Sequence, residues 1–280
     1  MWCKLQLNSL FVFDIETIPD DESAYNLISP NLDSIQSRRQ ALTDYHLQIT
    51  DGKNDFLRQP FHKVIAISFL KASIEYSSDG FESFHFEEIR SAKNENDSEY
   101  DLIKGFFATI EKLQPRLVSF NGRTFDLPVL KYRAMKYGIT AQKFYKLGDK
   151  WENYNNQRYS FNMHCDLLDA LSDSGASAKI KLNEVCSIFN YPGKIGVDGS
   201  SVSQMYDSGK IKEIRDYCET DVLNTYLVYL RYSLHIGRIN KNGYNKCIED
   251  ILIFLDKVNL PHFSEFKLAW DKITHKNYYL

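Results

Sequence analysis

Residues 10–19 read LFVFDIETIP. Four apolar residues run into Asp14 and Glu16, which are separated by one isoleucine. A segment apolar on both faces fits a strand at the centre of a sheet, over about residues 10–15. Side chains alternate along a strand, so Val12, Asp14 and Glu16 point one way and Phe11, Phe13 and Ile15 the other. Two acids at the end of the most apolar strand either meet water where the strand stops or form one side of a site.

The pattern around this strand is that of an α/β protein with a mixed central β-sheet flanked by α-helices. KVIAISFL (63–70) reads as a second buried strand, and FESFHFEE (81–88) alternates as a strand with one wetter face. A helix is expected over 98–113 with Ser98 as its N-cap. RLVSF (116–120) is another short buried strand, and 128–138 a helix stopped at Gly138. Further helices are expected at about 179–189, 201–208, 210–235 and 244–257. Residues 20–60 form a polar, partly helical insertion; 141–165 and the Gly/Ser-rich 190–203 read as loops. No linker divides the chain, so residues 1–235 are taken as one domain and 236–280 as its helical C-terminal extension.

Composition narrows the class. The 280 residues carry a net charge of −3. A protein that grips long duplex DNA by neutralising phosphates needs a basic excess, so any nucleic acid here is held locally or through metal ions. No stretch approaches the roughly 20 apolar residues of a membrane span. The N-terminus lacks a clean apolar signal segment. The five cysteines, Cys3, Cys165, Cys186, Cys218 and Cys247, form no CxxC pair. They read as reduced thiols in a cytoplasmic protein, not as a disulfide frame or a zinc site.

Two more segments carry acids. In SFNGRTFDLPVL, Asn121-Gly122 turns the chain and Asp126 sits where a helix N-cap belongs, ahead of Pro128. In IRDYCETDVLNTYLVYL (214–230), Ile214, Cys218, Val222 and Leu230 trace an apolar stripe. Tyr217 and Asp221, four apart, flank it on its half-buried side. Taken singly, Asp126 is a cap, Tyr217 a packed ring and Asp221 a solvated acid. Taken together, the acids would repel one another on burial unless a cation neutralised them. Hard oxygen ligands suit Mg²⁺ or Mn²⁺. Two such ions about 4 Å apart can clamp the attacking and leaving oxygens of a phosphodiester.

FDIETIPD (13–20), LVSFNGRTFDLPVL (117–130), HCDLLDAL (164–171), YPGKIGVDG (191–199) and YCETDVLNTY (217–226) resemble, in this order, the DEDD 3′–5′ exonucleases of the Tyr type. More narrowly, the chain resembles predicted stand-alone exonucleases related to the proofreading domain of family-B DNA polymerases. The resemblance covers roughly residues 9–235. It implies a ribonuclease H-like fold and two divalent metal ions, Mg²⁺ or Mn²⁺. Asp14 would bridge both ions. Glu16 and Asp221 would complete the ligands of the ion that activates water, and Asp126 would hold the second. Tyr217, with an ordinary pKa near 10, would orient the water rather than deprotonate it. Asn121 and Phe125 would line the substrate's 3′ end. Lys194 would meet a phosphate, though a Gly-Lys turn is also common without one. His164 belongs to the resembling stretch but equally fits a packed core histidine; Asp166 explains itself as a helix N-cap. The implied partner is a single-stranded or frayed 3′ end, DNA in preference to RNA. The alternatives are an exonuclease on RNA or short oligonucleotides, and a non-catalytic nucleic-acid-binding protein of the same fold.

Overall fold

The strand carrying Asp14 and Glu16 is the middle of the sheet. β1 (Ser9–Pro19) lies between β2 (His62–Tyr76) and β4 (Arg116–Ser119) in the order β3-β2-β1-β4-β5. β2 is antiparallel to β1, and β3 (Glu82–Ser91) to β2; β4 and β5 (His164–Asp166) add in parallel. This mixed five-stranded sheet, with helices against it, is the α/β, ribonuclease H-like arrangement expected. A computed structural model describes residues 6–29, 31–146, 153–155, 160–196 and 199–280. Cys3 lies outside the described residues; Cys165, Cys186, Cys218 and Cys247 are buried free thiols.

β1 is longer than the apolar run because its pairing with β2 continues past the acids to Pro19. Glu16 pairs with Ala66 and Thr17 with Val64, so Ile65 is an extra residue. Such a bulge bends the pair and re-aims side chains next to it, here beside Glu16. On one face, Phe11 stacks on Phe69 at 4.8 Å between ring centroids, and Phe13 packs on Phe106 at 5.0 Å. Phe106 belongs to α3 (Glu99–Leu113), whose N-cap Ser98 accepts the Asp101 N–H as expected. The short α1 (Asp21–Leu27) and the 15-residue α2 (Ile35–Ile49) occupy the insertion and close a small core of Ala24, Leu42 and Leu57.

After β4 the chain forms α4 (Asp126–Lys136) and α5 (Gln142–Lys146), and after β5 it forms α6 (Leu167–Leu171), α7 (Leu182–Phe189) and α8 (Val202–Asp207). Within the stretch expected to be loop, 141–165, α5 and the start of β5 are ordered elements, and much of the remainder lies outside the described residues. A three-residue strand is too short to show a period, and only its pairing with β4 defines it. The other face of β1 and β2 is covered by the 25-residue α9 (Ile211–His235). The one-sided stripe expected there does not survive: every residue from Tyr217 to Leu230 is buried. The reason is that α10 (Lys241–Lys257) and α11 (Pro261–Thr274) pack on its outer side, with Phe263, Phe266 and Trp270 in the same apolar core as β1.

Arg133 of α4 is the buried polar knot. It donates to Asp20 at 2.6 Å and to Glu99, which also accepts the Val64 N–H and the Tyr137 hydroxyl at 2.7 Å each. These bonds fix α4 against the end of β1 and the start of α3. Removing the guanidinium leaves the buried Glu99 without a cation and Asp20 with only Lys136, at 3.5 Å. Arg133→Leu is expected to cost about 3–5 kcal/mol, read from the urea midpoint at constant m-value. An unmoved midpoint would show that the knot is not structural.

Candidate active site

Asp14 and Glu16 leave the central strand on the α9 side and are half-buried. Burial pushes both carboxyls well above the ordinary carboxylate range. For Asp14 the negative charges of Asp126, Glu16 and Asp221 add to this, and Lys194 opposes it. For Glu16 the chief charge is Asp221. The Cys218 thiol lies 3.8 Å from Asp14 Oδ2 as a weak donor. Burial, then Asp14 and Glu16, push that thiol up, so it stays protonated.

Asp126 is not the N-cap expected. Phe125 holds that position, no side chain caps the helix, and Asp126 is the first residue of α4. The turn before it decides this. Asn121 adopts a left-handed φ of 69°, and Asp166 accepts the N–H of Asn121 at 2.9 Å and of Arg123 at 2.8 Å. A Cβ at Gly122 would lie 2.2 Å from Ser119 Oγ, so only glycine passes. The Asp126 side chain is therefore released from capping and turned inward. It is 4% exposed, its Oδ1 has no hydrogen-bond partner, and burial pushes its pKa up to about 7.

Tyr217 and Asp221 share one side of α9, and both are fully buried rather than half-buried. Lys194 reaches them from the loop after α7. Its Nζ donates to the Tyr217 hydroxyl at 2.5 Å, lies 3.6 Å from Asp221 Oδ2 and 5.2 Å from the Tyr217 ring centroid. Asp221 Oδ1 is buried without a partner. Burial raises Asp221, with Lys194 pulling the other way. Burial, then the charges of Asp221, Glu16 and Asp14, hold the Tyr217 hydroxyl above its usual range, so it stays protonated.

The loop that delivers Lys194 is clamped on both sides. Asn224 of α9 accepts the Gly193 N–H at 3.2 Å and donates to its carbonyl at 2.8 Å; Asn183 of α7 accepts the Lys194 N–H at 3.0 Å. Gly193 has φ +68°, and a Cβ there would meet Asn183 Oδ1 at 2.2 Å. Asn224 shows in the sequence only as a polar residue within a buried helix, the exposed Asn183 has no mark at all, and Asp166 reads as the cap of α6 with nothing to announce its second task in the 121–125 turn.

The remaining candidates divide. Asn121 is engaged in its turn, its Oδ1 accepting the Thr124 hydroxyl. Phe125 packs edge-on against His62 at 4.9 Å and lies 5.6 Å from the exposed Phe56, an aromatic rim next to Asp126. His164 is a core histidine: it is fully buried, bonds Ser119 Oγ at 2.7 Å, and burial lowers its pKa to about 3. Asp166 does cap α6, accepting the Leu168 N–H at 3.0 Å.

The group Asp14, Glu16, Asp126 and Asp221 thus offers hard oxygen donors, two of them buried without a partner, in a place where burial and repulsion oppose ionisation. That donor set fits a divalent cation of the Mg²⁺ or Mn²⁺ kind.

A carboxyl whose folded pKa is raised holds its proton longer in the folded state than in the unfolded chain. Stability then falls as pH rises through the window between the two values. For Asp126 that window runs from its ordinary 3.8 to about 7. In EDTA, the protein is expected to lose stability across this window by up to about 1.4 kcal/mol per pH unit for one proton. Asp126→Asn should flatten the slope and be the more stable chain at pH 7. Urea unfolding against pH checks it; equal slopes in both chains would refute it.

Over residues 54–270 the chain matches a family described as "Predicted 3'-5' exonuclease related to the exonuclease domain of PolB". Asp126, Lys194, Tyr217 and Asp221 fall inside the match, and Asp14 and Glu16 precede it. Among solved structures, the chain is similar to the family B DNA polymerase from the hyperthermophilic archaeon Pyrobaculum calidifontis. Identity is 19% and the TM-score 0.44, over 95% of this chain and 27% of the polymerase chain, so it spans about a quarter of that protein. No curated protein matches. No helix among the described residues is long and apolar enough to cross a membrane. The chain belongs to the family of predicted 3′–5′ exonucleases related to the exonuclease domain of PolB.

Proposed function

We propose that this chain hydrolyses phosphodiester bonds at the 3′ end of single-stranded or frayed DNA, using two divalent metal ions, Mg²⁺ or Mn²⁺. The observation that carries the reading is the electrostatic unit formed by Asp14, Glu16, Asp126 and Asp221 around the Tyr217 hydroxyl. The four carboxylates would hold the ions, Asp14 shared between them, Glu16 and Asp221 on one and Asp126 on the other. Bound there, the ions would acidify a water and offset charge on the reacting phosphate.

The chain's own groups do the positioning. Tyr217 keeps its proton, so it serves as a hydrogen-bonding anchor for the attacking water and not as a base. Lys194 stands on a clamped backbone with a flexible side chain, and its ammonium is within reach of a phosphate brought to Asp221. Phe125, backed by His62 and Phe56, gives the terminal base an aromatic face. Asn121 holds the turn that aims both Phe125 and Asp126. A net charge of −3 fits local capture of an end and not a grip on long duplex. Residues 1–235 would form the exonuclease domain and 236–280 its helical extension, acting in the cytoplasm.

A 5′-labelled single strand incubated with the protein and Mg²⁺ or Mn²⁺ is expected to shorten stepwise from its 3′ end and to stop in EDTA. Asp14→Ala and Asp221→Ala should abolish this with the fold retained, and Tyr217→Phe should slow it about 10²-fold. Matched RNA run beside the DNA decides the substrate: faster shortening of RNA would replace DNA as the assignment. Undiminished degradation by Asp14→Ala would reject the proposal outright.

A further inference from the structure

His262, in the first turn of α11, has a side chain only 10% exposed. Its Nε2 lies 2.9 Å from Glu219 Oε2 on α9. Glu219 Oε1 already accepts both the N–H and the hydroxyl of Ser91 at 2.7 Å each. A carboxylate so used can only accept, so Nε2 carries the proton. Nδ1 is buried, makes no hydrogen bond, and faces Asp216 Oδ1 at 3.4 Å. In a neutral imidazole that places a lone pair against a carboxylate oxygen, which only a proton or a cation between them relieves. The other oxygen of Asp216 is taken by Lys212 at 2.5 Å.

An imidazole that gives one N–H to a carboxylate and turns its other nitrogen toward a second acid has the arrangement of a metal-ligating histidine with its orienting partner. Ligand atoms of Asp216, Glu219 and His262 lie within 4.8 Å of one another. Asp216 and His262, with Tyr217 beside them, line a cavity of about 220 Å³ that the exposed Glu213 and Glu265 also border; Glu219 lies behind the imidazole, outside it. None of these side chains belongs to the four-carboxylate group. We propose that His262 Nδ1 and Asp216 Oδ1 bind a zinc-type divalent cation, with Glu219 orienting the imidazole and the remaining positions filled by water or by the two exposed acids bordering the cavity. A nitrogen donor beside carboxylates favours Zn²⁺ over Mg²⁺. Such an ion ties α11 to α9 at the residue before Tyr217.

The test uses the full chain carrying Asp14→Asn and Asp221→Asn, which disables the other cation site. Dialysed against Zn²⁺ and assayed for metal content, it is expected to hold one Zn²⁺ per chain and to melt at a higher temperature with zinc than without. Adding His262→Gln should weaken zinc binding at least tenfold, and Glu219→Gln should weaken it less. Co²⁺ in place of zinc should give a visible-band spectrum that His262→Gln abolishes. Should His262→Gln not fold, Asp216→Asn decides in its place by the same tenfold criterion. No zinc uptake, or binding unchanged by either substitution, would overturn the site; activity plays no part in the readout, so this outcome is independent of the exonuclease reading.

Discussion

Like charges brought together where water is scarce set the terms for this structure. Asp126, Glu16 and Asp221 raise the cost of ionising Asp14, and Asp221 and Asp126 that of Glu16, on top of the cost of burial. Lys194 supplies one positive charge against the four. A fold that keeps such a group must either protonate it or give it cations. The partnerless buried oxygens of Asp126 and Asp221 argue for the second.

The scaffold bears the cost of this group through rigidity elsewhere. β1 is apolar on its Phe11–Phe13 face, paired with β4 as far as Val12 and with β2 through both acids to Pro19, so the backbone bearing the acids is held by β2 and by the packed face beneath it. α9 is enclosed from Tyr217 to Leu230, which fixes the rotation of the turn bearing Tyr217 and Asp221. α4 is locked by Arg133, and the turn ahead of it by Asp166. Each of the three chain segments that meet at the acids is thus anchored by groups that are not acids of the site.

Much of this was legible because it is local. The two-sided apolar run before Asp14 marked a central strand, and the Ser98 cap marked a helix start. The acids themselves stood out as charged residues among apolar ones. What failed depends on distant chain. Whether Asp126 caps α4 or opens it turns on the backbone of Phe125, which is set by Asp166 some forty residues later. The α9 stripe looked one-sided because the sequence of α9 contains nothing of α10 and α11. β5 exists by its pairing with β4 and has no period of its own. His164 carried two readings, and the bond to Ser119 within the sheet decides for the core.

Lys194 shows how the charge balance and the geometry constrain each other. Its backbone is fixed by Asn183 and Asn224, while its side chain remains 35% exposed. The ammonium rests on Tyr217 and Asp221, where its charge also acts on Asp14 and Glu16. That position conflicts with a divalent ion ligated by Asp221, since like charges a few ångströms apart repel strongly in a poorly solvated site. The side chain would then give way while the loop stays, and the nearest negative group available to it would be the phosphate of a bound strand. The same repulsion that makes the four acids expensive would in this way free the one lysine beside them for substrate. A fixed loop with a long side chain would serve both states, whereas a mobile loop would lose Lys194 from the site as soon as Asp221 found another partner.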